Sequence, residues 1–382
     1  MITIIFFVII VVILALAEAG YYLKHAFDKL DIDVRFSKNI AGYGDTIEVI
    51  ERAQNNKKLP LPFLILKFEV PIAIRFNDME NISLSDNYYR EDMLTMRGRS
   101  RHTRTIKATC RKRGYYEFTR VTASTTDLFF LNKIGDDFRT DSSLVILPQI
   151  IATDELRTLI AMTISDIQIR RTLLTDPFTL AGIREYQPWD PMSSINWTAS
   201  AKVGDFMVNQ NASTGAKKVN IFLNLEYYNT KKSESLLELS ISLVYSYMRE
   251  LMEAGISTAL YSNGKDTLNG NSIAINSLTS MDAVEQCGIE LARIDLKQEV
   301  TPIENIIEKY ALRNTSGELN IVISPNYNSN FQNVLSRLLL QNSQIPLLWV
   351  MPCYYNDKTL GKMNLNSDLA THYMKWEVSG RD

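Results

Sequence analysis

The chain opens on an apolar run. Ile4 to Ala17 contains no polar side chain, and with Ile2, Thr3 and the Ala19–Leu23 tail it approaches the ~20 residues that a bilayer core requires. A helix that is apolar on every face has no side to turn to water, so residues 1–23 are predicted to form a transmembrane helix. Glu18 falls near one end, and Tyr21 and Tyr22 are expected at the interface, where an apolar ring and a polar hydroxyl are both satisfied. Met1 leads directly into the apolar core without a basic segment, which argues against a cleaved signal peptide. Lys24, Lys29, Arg35 and Lys38 follow the run and no basic side chain precedes it. The positive-inside rule then predicts a single-pass protein with its body in the cytoplasm.

Beyond the run the period changes to two. Asp31 to Phe36 alternates polar and apolar, Gly42-Tyr43-Gly44-Asp45 has the composition of a turn, and Thr46–Ile50, Leu64–Val70 and Thr105–Cys110 alternate again. Leu144–Leu147 is a short apolar strand. Strands of this length separated by turn signals predict a β-sandwich over 30–148. Asp45, Asp78, Asp86 and Asp92 lie in turn-rich sequence and are expected in solvent. The basic run from Arg97 to Arg113 has two readings, a stripe facing anionic lipid or a solvated strand face, and the alternation favours the solvated face.

From residue 216 the pattern becomes strand–helix–strand. Val219–Leu225 is a buried-type strand. Ser235 and Glu238 form a capping box before the apolar stripe Leu236, Leu239, Leu243, Val244, Tyr247, Met248 and Leu251, and Gly255 is placed to end that helix. Ile256–Tyr261 is the next strand, with Asn263-Gly264 as its turn. Helices are predicted over Met281–Arg293, from Thr301-Pro302-Ile303-Glu304 onward, and over Phe331–Gln341. Strands are predicted at Leu319–Ser324 and Ile345–Met351. The fold class is α/β plus all-β: an N-terminal transmembrane helix, a β-sandwich, and a doubly wound, mostly parallel sheet over 216–382. Residues 149–215 are left as a connecting segment.

Composition narrows the functions. A net charge of −2 offers no polyanion surface, so no nucleic-acid partner is expected. Cys110, Cys287 and Cys353 are too scattered for a disulfide framework and form no Cys-x-x-Cys pair. His25, His102 and His372 are the only histidines. There is no phosphate-binding loop, no His-Glu-x-x-His and no Gly-x-Ser-x-Gly. No catalytic residue is predicted, and an envelope-processing enzyme is the least supported class.

The densest chemistry lies in the connecting segment, at Arg184-Glu185-Tyr186-Gln187-Pro188-Trp189-Asp190 and Ile195-Asn196-Trp197 through Lys202. Arg184 is placed to pair with Glu185, Asp190 or another carboxylate, and Tyr186 and Trp197 offer large areas for burial. Arg184, Glu185, Tyr186, Trp189, Asp190, Asn196, Trp197 and Lys202 are the candidate partner-binding residues, with a domain-docking linker as the competing reading.

This block resembles the signature of the bacterial domain-of-unknown-function 58 family. Arg184, Tyr186, Asp190, Ile195, Trp197 and Ala201 stand in the matching places; Trp189 replaces the usual Gly, Ser193 an Arg and Lys202 the last Arg. Arg113-Gly114-Tyr115-Tyr116 and Asp127-Leu128-Phe129 are similar to that family's β-domain. The resemblance implies a membrane anchor, a β-domain and a von Willebrand factor type A-like domain. It also implies partnership with a MoxR-type AAA+ ATPase and no established enzyme activity. Many members resemble two-span proteins, whereas one span is found here. A metal-ion-dependent adhesion site would lie where the first strand of the α/β domain ends. There the family-type Asp-x-Ser-x-Ser is replaced by Asn224, Glu226 and Tyr228, a degenerate site at which Mg²⁺ binding by the lone carboxylate is an alternative function.

Overall fold

The computed structural model describes residues 2–77, 82–84, 87–127, 132–173, 175–213, 218–226, 233–278, 280–311, 318–341, 347–354 and 364–378. The chain divides into two compact units, Met1–Gln149 and Ile150–Asp382.

The first unit begins with α1 (Ile2–His25), an unbroken helix. Among the described residues it is the one helix long and apolar enough to cross a membrane. Ile4 to Leu14 project outward on every side. The lower turns differ. Ala19, Tyr22 and Ala26, spaced three and four residues apart on one face, are buried, and Tyr22 and Ala26 belong to the sandwich core. The Tyr22 hydroxyl donates to the Pro60 carbonyl at 2.7 Å. Tyr22 is therefore a core residue and not the interfacial one expected from sequence; Tyr21, one step round the helix, is exposed.

Among the described residues ten strands follow: β1 (Leu30–Phe36), β2 (Ile40–Ala41), β3 (Thr46–Asn55), β4 (Leu61–Pro71), β5 (Ile74–Phe76), β6 (Ile82–Leu84), β7 (Asn87–Met96), β8 (Ser100–Cys110), β9 (Gly114–Thr126) and β10 (Lys133–Ile146). One sheet has the order β1-β3-β8-β5 and the other β2-β10-β9-β4-β7-β6. Every pairing is antiparallel except that of β2 with β10. The alternation that predicted the strands now has a direction. Ile106, Ala108 and Cys110 of β8 point inward, while Thr105, Lys107 and Arg111 point out. Val49 and Ile106 from one sheet meet Leu66 and Val121 from the other in a single core. Each fully buried aliphatic side chain there contributes roughly 1.5–3 kcal/mol. Phe118 ties the layers together, stacked on Phe36 at 4.3 Å and edge-on to Phe68 at 5.9 Å. The β-sandwich expectation over 30–148 agrees with this architecture.

One expectation fails inside it. Asp92 is not solvated: it is fully buried on β7, bound by Arg90 at 2.6 Å and by Arg104 at 2.8 Å. Arg90 and Asp92 occupy inward positions of a strand whose neighbours Tyr88, Leu94 and Met96 are apolar, so the same alternation that buries those three buries the ion pair. Asp45 is exposed and accepts the Gly42 N–H, while Asp78 and Asp86 lie outside the described residues.

The second unit starts with α2 (Asp154–Leu173), then β11 (Thr175–Glu185), the short α3 (Trp197–Val203) and β12 (Met207–Ser213). There follow β13 (Lys218–Leu223), α4 (Ser233–Glu253), β14 (Ser257–Lys265), β15 (Ser272–Leu278), α5 (Met281–Ala292) and α6 (Ile303–Ala311). The chain ends with β16 (Leu319–Ile323), α7 (Ser329–Gln341), β17 (Leu347–Tyr354) and β18 (Tyr373–Val378). The stretch 150–213 is thus part of this unit and not a separate connector. α2 packs on α4, the Ile151 N–H donates to Ser246 Oγ at 2.8 Å, and the Thr163 and Tyr247 hydroxyls are hydrogen-bonded.

The main sheet has the order β15-β14-β13-β16-β17-β18, parallel throughout except for the β14–β15 edge pair. Phe222, Val322, Trp349 and Met351 face Ile303 and Ile307 of α6 and Phe331 and Leu335 of α7. Ile221 and Leu223 alternate to the opposite side and are also fully buried, with α4 packed on β13, β14 and β17. Burial on both faces is why these strands are continuous apolar runs.

α4 begins at Ser233, so Ser235 lies in its first turn, where its hydroxyl accepts from the Tyr354 hydroxyl at 2.6 Å. One local expectation is corrected here. Asn263-Gly264 is no turn: β14 runs through it to Lys265, and both residues are buried. A β-carbon on Gly264 would meet Leu225 Cδ1 at 2.6 Å and Ile294 Cγ2 at 2.9 Å, so glycine is there for close packing.

Candidate functional site

The two regions singled out by sequence both belong to the second unit. The first is the ribbon of β11 and β12 with the segment between them. The strands pair antiparallel from Gly182 to Glu185 against Gln210 to Met207, and Tyr186 N–H extends the pairing to the Phe206 carbonyl. Within the loop, Arg184 reaches Asp190 with both terminal nitrogens, each at 2.6 Å. Asp190 also accepts the Gln187 N–H at 2.9 Å. Of the carboxylates offered to Arg184 by sequence, Asp190 is the one it uses. Glu185 faces solvent and contributes only its carbonyl. The Arg184 guanidinium and the Gln187 N–H together hold the Asp190 carboxyl below the ordinary range.

Asn196 fixes the other half. Its Oδ1 caps α3 by accepting the Ala199 N–H at 3.0 Å, and its Nδ2 donates to Asn209 on β12 at 2.7 Å. Ser200 is buried under the helix, donating to the Asn196 carbonyl and accepting the Met207 N–H at 2.8 Å. Gly204 ends the helix at φ +89°, and Lys202 in the last turn is exposed and favourably placed against the helix dipole.

This scaffold does not bury its aromatics. Trp197 is 65% exposed and Trp189 78% exposed, against the expectation that Trp197 would be buried. Tyr186 is half-buried, edge-on to Phe206 at 6.1 Å, and Trp197 meets the same ring at 6.2 Å. Met192, Val203 and Phe206 are exposed as well. The sequence singled out the tryptophans but missed Met192 and Phe206. Their signal was faint, since an isolated Met or Phe in a loop marks a core position as readily as a surface one.

The second region lies at the carboxyl ends of β13, β14 and β16, where open α/β sheets bind ligands. Asn224 Nδ2 donates to Ser324 Oγ at 3.1 Å, and its Oδ1 accepts from Asn263 Nδ2 at 3.0 Å and from the Glu226 N–H at 3.0 Å. Glu226 Oε1 accepts the Ile303 N–H at the start of α6 at 2.9 Å, and Oε2 accepts from Asn326 Nδ2 at 3.2 Å. Asn263 also accepts the Leu225 N–H and donates to the Thr301 carbonyl. Burial raises the Glu226 carboxyl, while the Ile303 N–H and the two amides oppose the rise. The carboxylate that sequence offered to a cation is thus occupied by N–H donors. Tyr228 lies outside the described residues. Among the described residues, no group of three or more His, Cys, Asp or Glu side chains is placed to hold a metal ion. The three cysteines are buried, and desolvation pushes the Cys110 thiol up to about 11, away from the range of a reactive thiolate.

No family model matches the chain, and no curated protein matches it. Among solved structures it is similar to the CARDB domain of a Pyrococcus furiosus protein in complex with di-metal ions. The identity is 13%, with 31% of this chain and 91% of that chain covered and a TM-score of 0.21. It is also similar to a type I cohesin–dockerin complex from Clostridium thermocellum, at 12% identity over 31% of this chain and 100% of that chain, TM-score 0.21. A type I cohesin from Pseudobacteroides cellulosolvens gives 11% identity over 32% of this chain and 96% of that chain, TM-score 0.21. Scores this low support neither a fold nor a role.

Proposed function

We propose that the chain is a membrane-anchored interaction protein of the domain-of-unknown-function 58 kind. On this reading α1 is a retained single span and the body is cytoplasmic. The α/β unit is a von Willebrand factor type A-like domain whose cation position has become a hydrogen-bonded lock. Its partner is a MoxR-type AAA+ ATPase.

The observation that carries the interaction reading is the surface at 186–206. Trp189, Met192, Trp197 and Phe206 are large apolar side chains exposed on a segment braced by the Arg184–Asp190 pair and the Asn196 cap. Exposed tryptophans on a rigid frame are what binding hot spots are made of. The strand order β15-β14-β13-β16-β17-β18 supports the type A-like reading, with its first strand central and its antiparallel strand at one edge. The ATPase comes from the sequence resemblance.

Pull-downs from solubilised membranes test the partner. We expect an ATPase to be recovered with the wild-type chain and lost with Trp189→Ser/Trp197→Ser; repeated recovery of none, or equal recovery by the variant, contradicts the reading. The mass of the mature chain tests the anchor. Retention of residues 1–17 is expected, and a chain beginning near Glu18 would make α1 a processed signal.

A further inference from the structure

The basic run Arg97–Arg113, which alternation assigned to a solvated face, is divided by the fold. Arg104 turns inward to Asp92, Lys107 faces solvent midway along β8, and Arg111, Lys112 and Arg113 lie beyond the far end of that strand. Arg97, Arg99 and Arg101 lie at the opposite end, where three segments converge at the foot of α1. The Arg99 N–H donates to the Lys57 carbonyl at 2.8 Å, and Asn55 Nδ2 to the Arg97 carbonyl at 3.1 Å. The Asn56 N–H donates to the Lys29 carbonyl at 3.0 Å, and the Tyr22 hydroxyl to Pro60.

We propose that this rim of the sandwich, formed by Lys24, Lys29, Lys58, Arg97, Arg99 and Arg101, is a binding surface for the anionic phospholipid headgroups of the bilayer that α1 enters. The proposal rests on the reading of α1 as a span.

Distance is the first argument. Tyr22 lies about 9 Å along the helix from Leu16, the last large side chain of the exposed apolar stretch, at ~1.5 Å per residue. The Pro60 loop is therefore held within about one Debye length, ~8–10 Å, of the end of the apolar surface. Charge is the second. All six side chains are exposed; the acids at this end include Glu18 on the docked face of α1, Asp28, which is engaged by His25 at 2.7 Å, Asp31, and Asp127 after β9, which is buried and accepts from Asn132. Lys57 is excluded, because its ammonium is turned inward and buried. Backbone conformation is the third. Among the described residues, Lys29 (φ +52°) and Arg99 (φ +55°) are the only non-glycines in the left-handed region. Glycine or asparagine adopts that conformation more cheaply, and both positions carry a cation instead.

The test places the full chain in nanodiscs of phosphatidylcholine alone or with phosphatidylglycerol and measures lysine acylation by mass spectrometry. Lys29 and Lys58 should react about fivefold more slowly in the anionic discs, the factor equivalent to ~1 kcal/mol per basic side chain at such a surface. Lys107 and Lys112, toward and beyond the far end of β8, should be unchanged, and high salt should erase the difference. In Arg97→Gln/Arg99→Asn the protection of Lys58 should shrink while β8 amides remain protected from hydrogen exchange, which shows that the sandwich is folded. Equal rates in both discs, with the chain retained through an alkaline wash, overturn the rim and leave the anchor standing. Loss of the chain in that wash overturns the anchor and the rim together.

Discussion

Glu51 has the least ordinary environment of any side chain in the sandwich. It is fully buried on β3, facing Asp92, Arg90 and Arg104. Burial, reinforced by the charge of Asp92 and a hydrogen bond to it, pushes the Glu51 carboxyl up to about 8 against the pull of the two arginines. An acid raised in the folded state costs nothing below its ordinary value of 4.5, where both states are protonated. The cost grows between 4.5 and about 8 and is complete above that, on the order of a few kcal/mol. The melting temperature of the sandwich should therefore fall between pH 6 and pH 9, and Glu51→Gln should flatten that slope; an unchanged slope would assign it elsewhere. Asp190 behaves in the opposite sense. Its folded value is depressed, so the Arg184 pair stabilises the loop above the ordinary 3.8 and is lost as pH falls through the folded value. Protection of the 186–190 amides from hydrogen exchange, relative to the intrinsic rate at each pH, should be high at pH 5 and pH 7 and fall in stronger acid, and Asp190→Asn should be weakly protected throughout. The two carboxylates also mark how far residues can be read from sequence. Arg184, near the end of β11, and Asp190, in the loop that follows, are six apart, and their pairing was among the options visible in the sequence. Asp92 shares its face of β7 with Tyr88, Leu94 and Met96, but Tyr89 and Met93 stand on the other face, so large side chains on both faces leave the local pattern ambiguous. The choice is made by the opposing sheet, through Glu51 and Arg104, which are distant in sequence.

At the scale of elements, α6 shows how a helix is started from far away. Thr301-Pro302 looked sufficient to begin it, yet the Ile303 N–H is satisfied by Glu226, at the end of β13. Glu226→Ala removes that acceptor and frees Asn326. A capping loss of roughly 1–2 kcal/mol should accelerate amide exchange at the start of α6 about tenfold. Adding magnesium should leave the wild-type rates unchanged, since N–H donors already engage both carboxylate oxygens; a magnesium-dependent slowing would restore the adhesion-site reading. The strands and helices of this unit were legible wherever periodicity was long, as in α4, α5 and β13. Asn263-Gly264 was misread because the same dipeptide that favours a turn here serves burial: the amide bridges Asn224 and Thr301, and the glycine makes room for Leu225 and Ile294. β15 and β18 went unread, being edge strands with mixed polar sequence.

At the scale of the molecule, the apolar run, the β-sandwich and the alternating α/β pattern were all visible in the sequence, because each is a property of many residues at once. The join between the first two was not. The apolar run extends through Tyr22 without a break in composition, and only the fold shows that its last turns leave the apolar surface and enter the core. A chain starting at Glu18 should keep the stability of the sandwich. One starting at Leu30 loses Tyr22 and Ala26 and should be destabilised by about 3 kcal/mol or more, visible as a lower melting temperature. Equal melting of the two would mean that the docked turns are dispensable.

That join also bears on how the sandwich meets other molecules. A body on a loose tether tumbles, and a partner held at the same membrane must arrest that tumbling before it binds. Between His25 and Leu30 there is almost no tether, and the helix is seated in the core on the near side of it. The rotational freedom of the sandwich relative to α1 is given up when the protein folds, so if α1 spans a bilayer as proposed, an encounter there begins with the sandwich already oriented. Inserting a glycine–serine spacer between Asp28 and Lys29, with Tyr22→Ala to release the helix, should weaken capture by a membrane-held partner, mainly through slower association. It should do so without altering any residue that touches the partner.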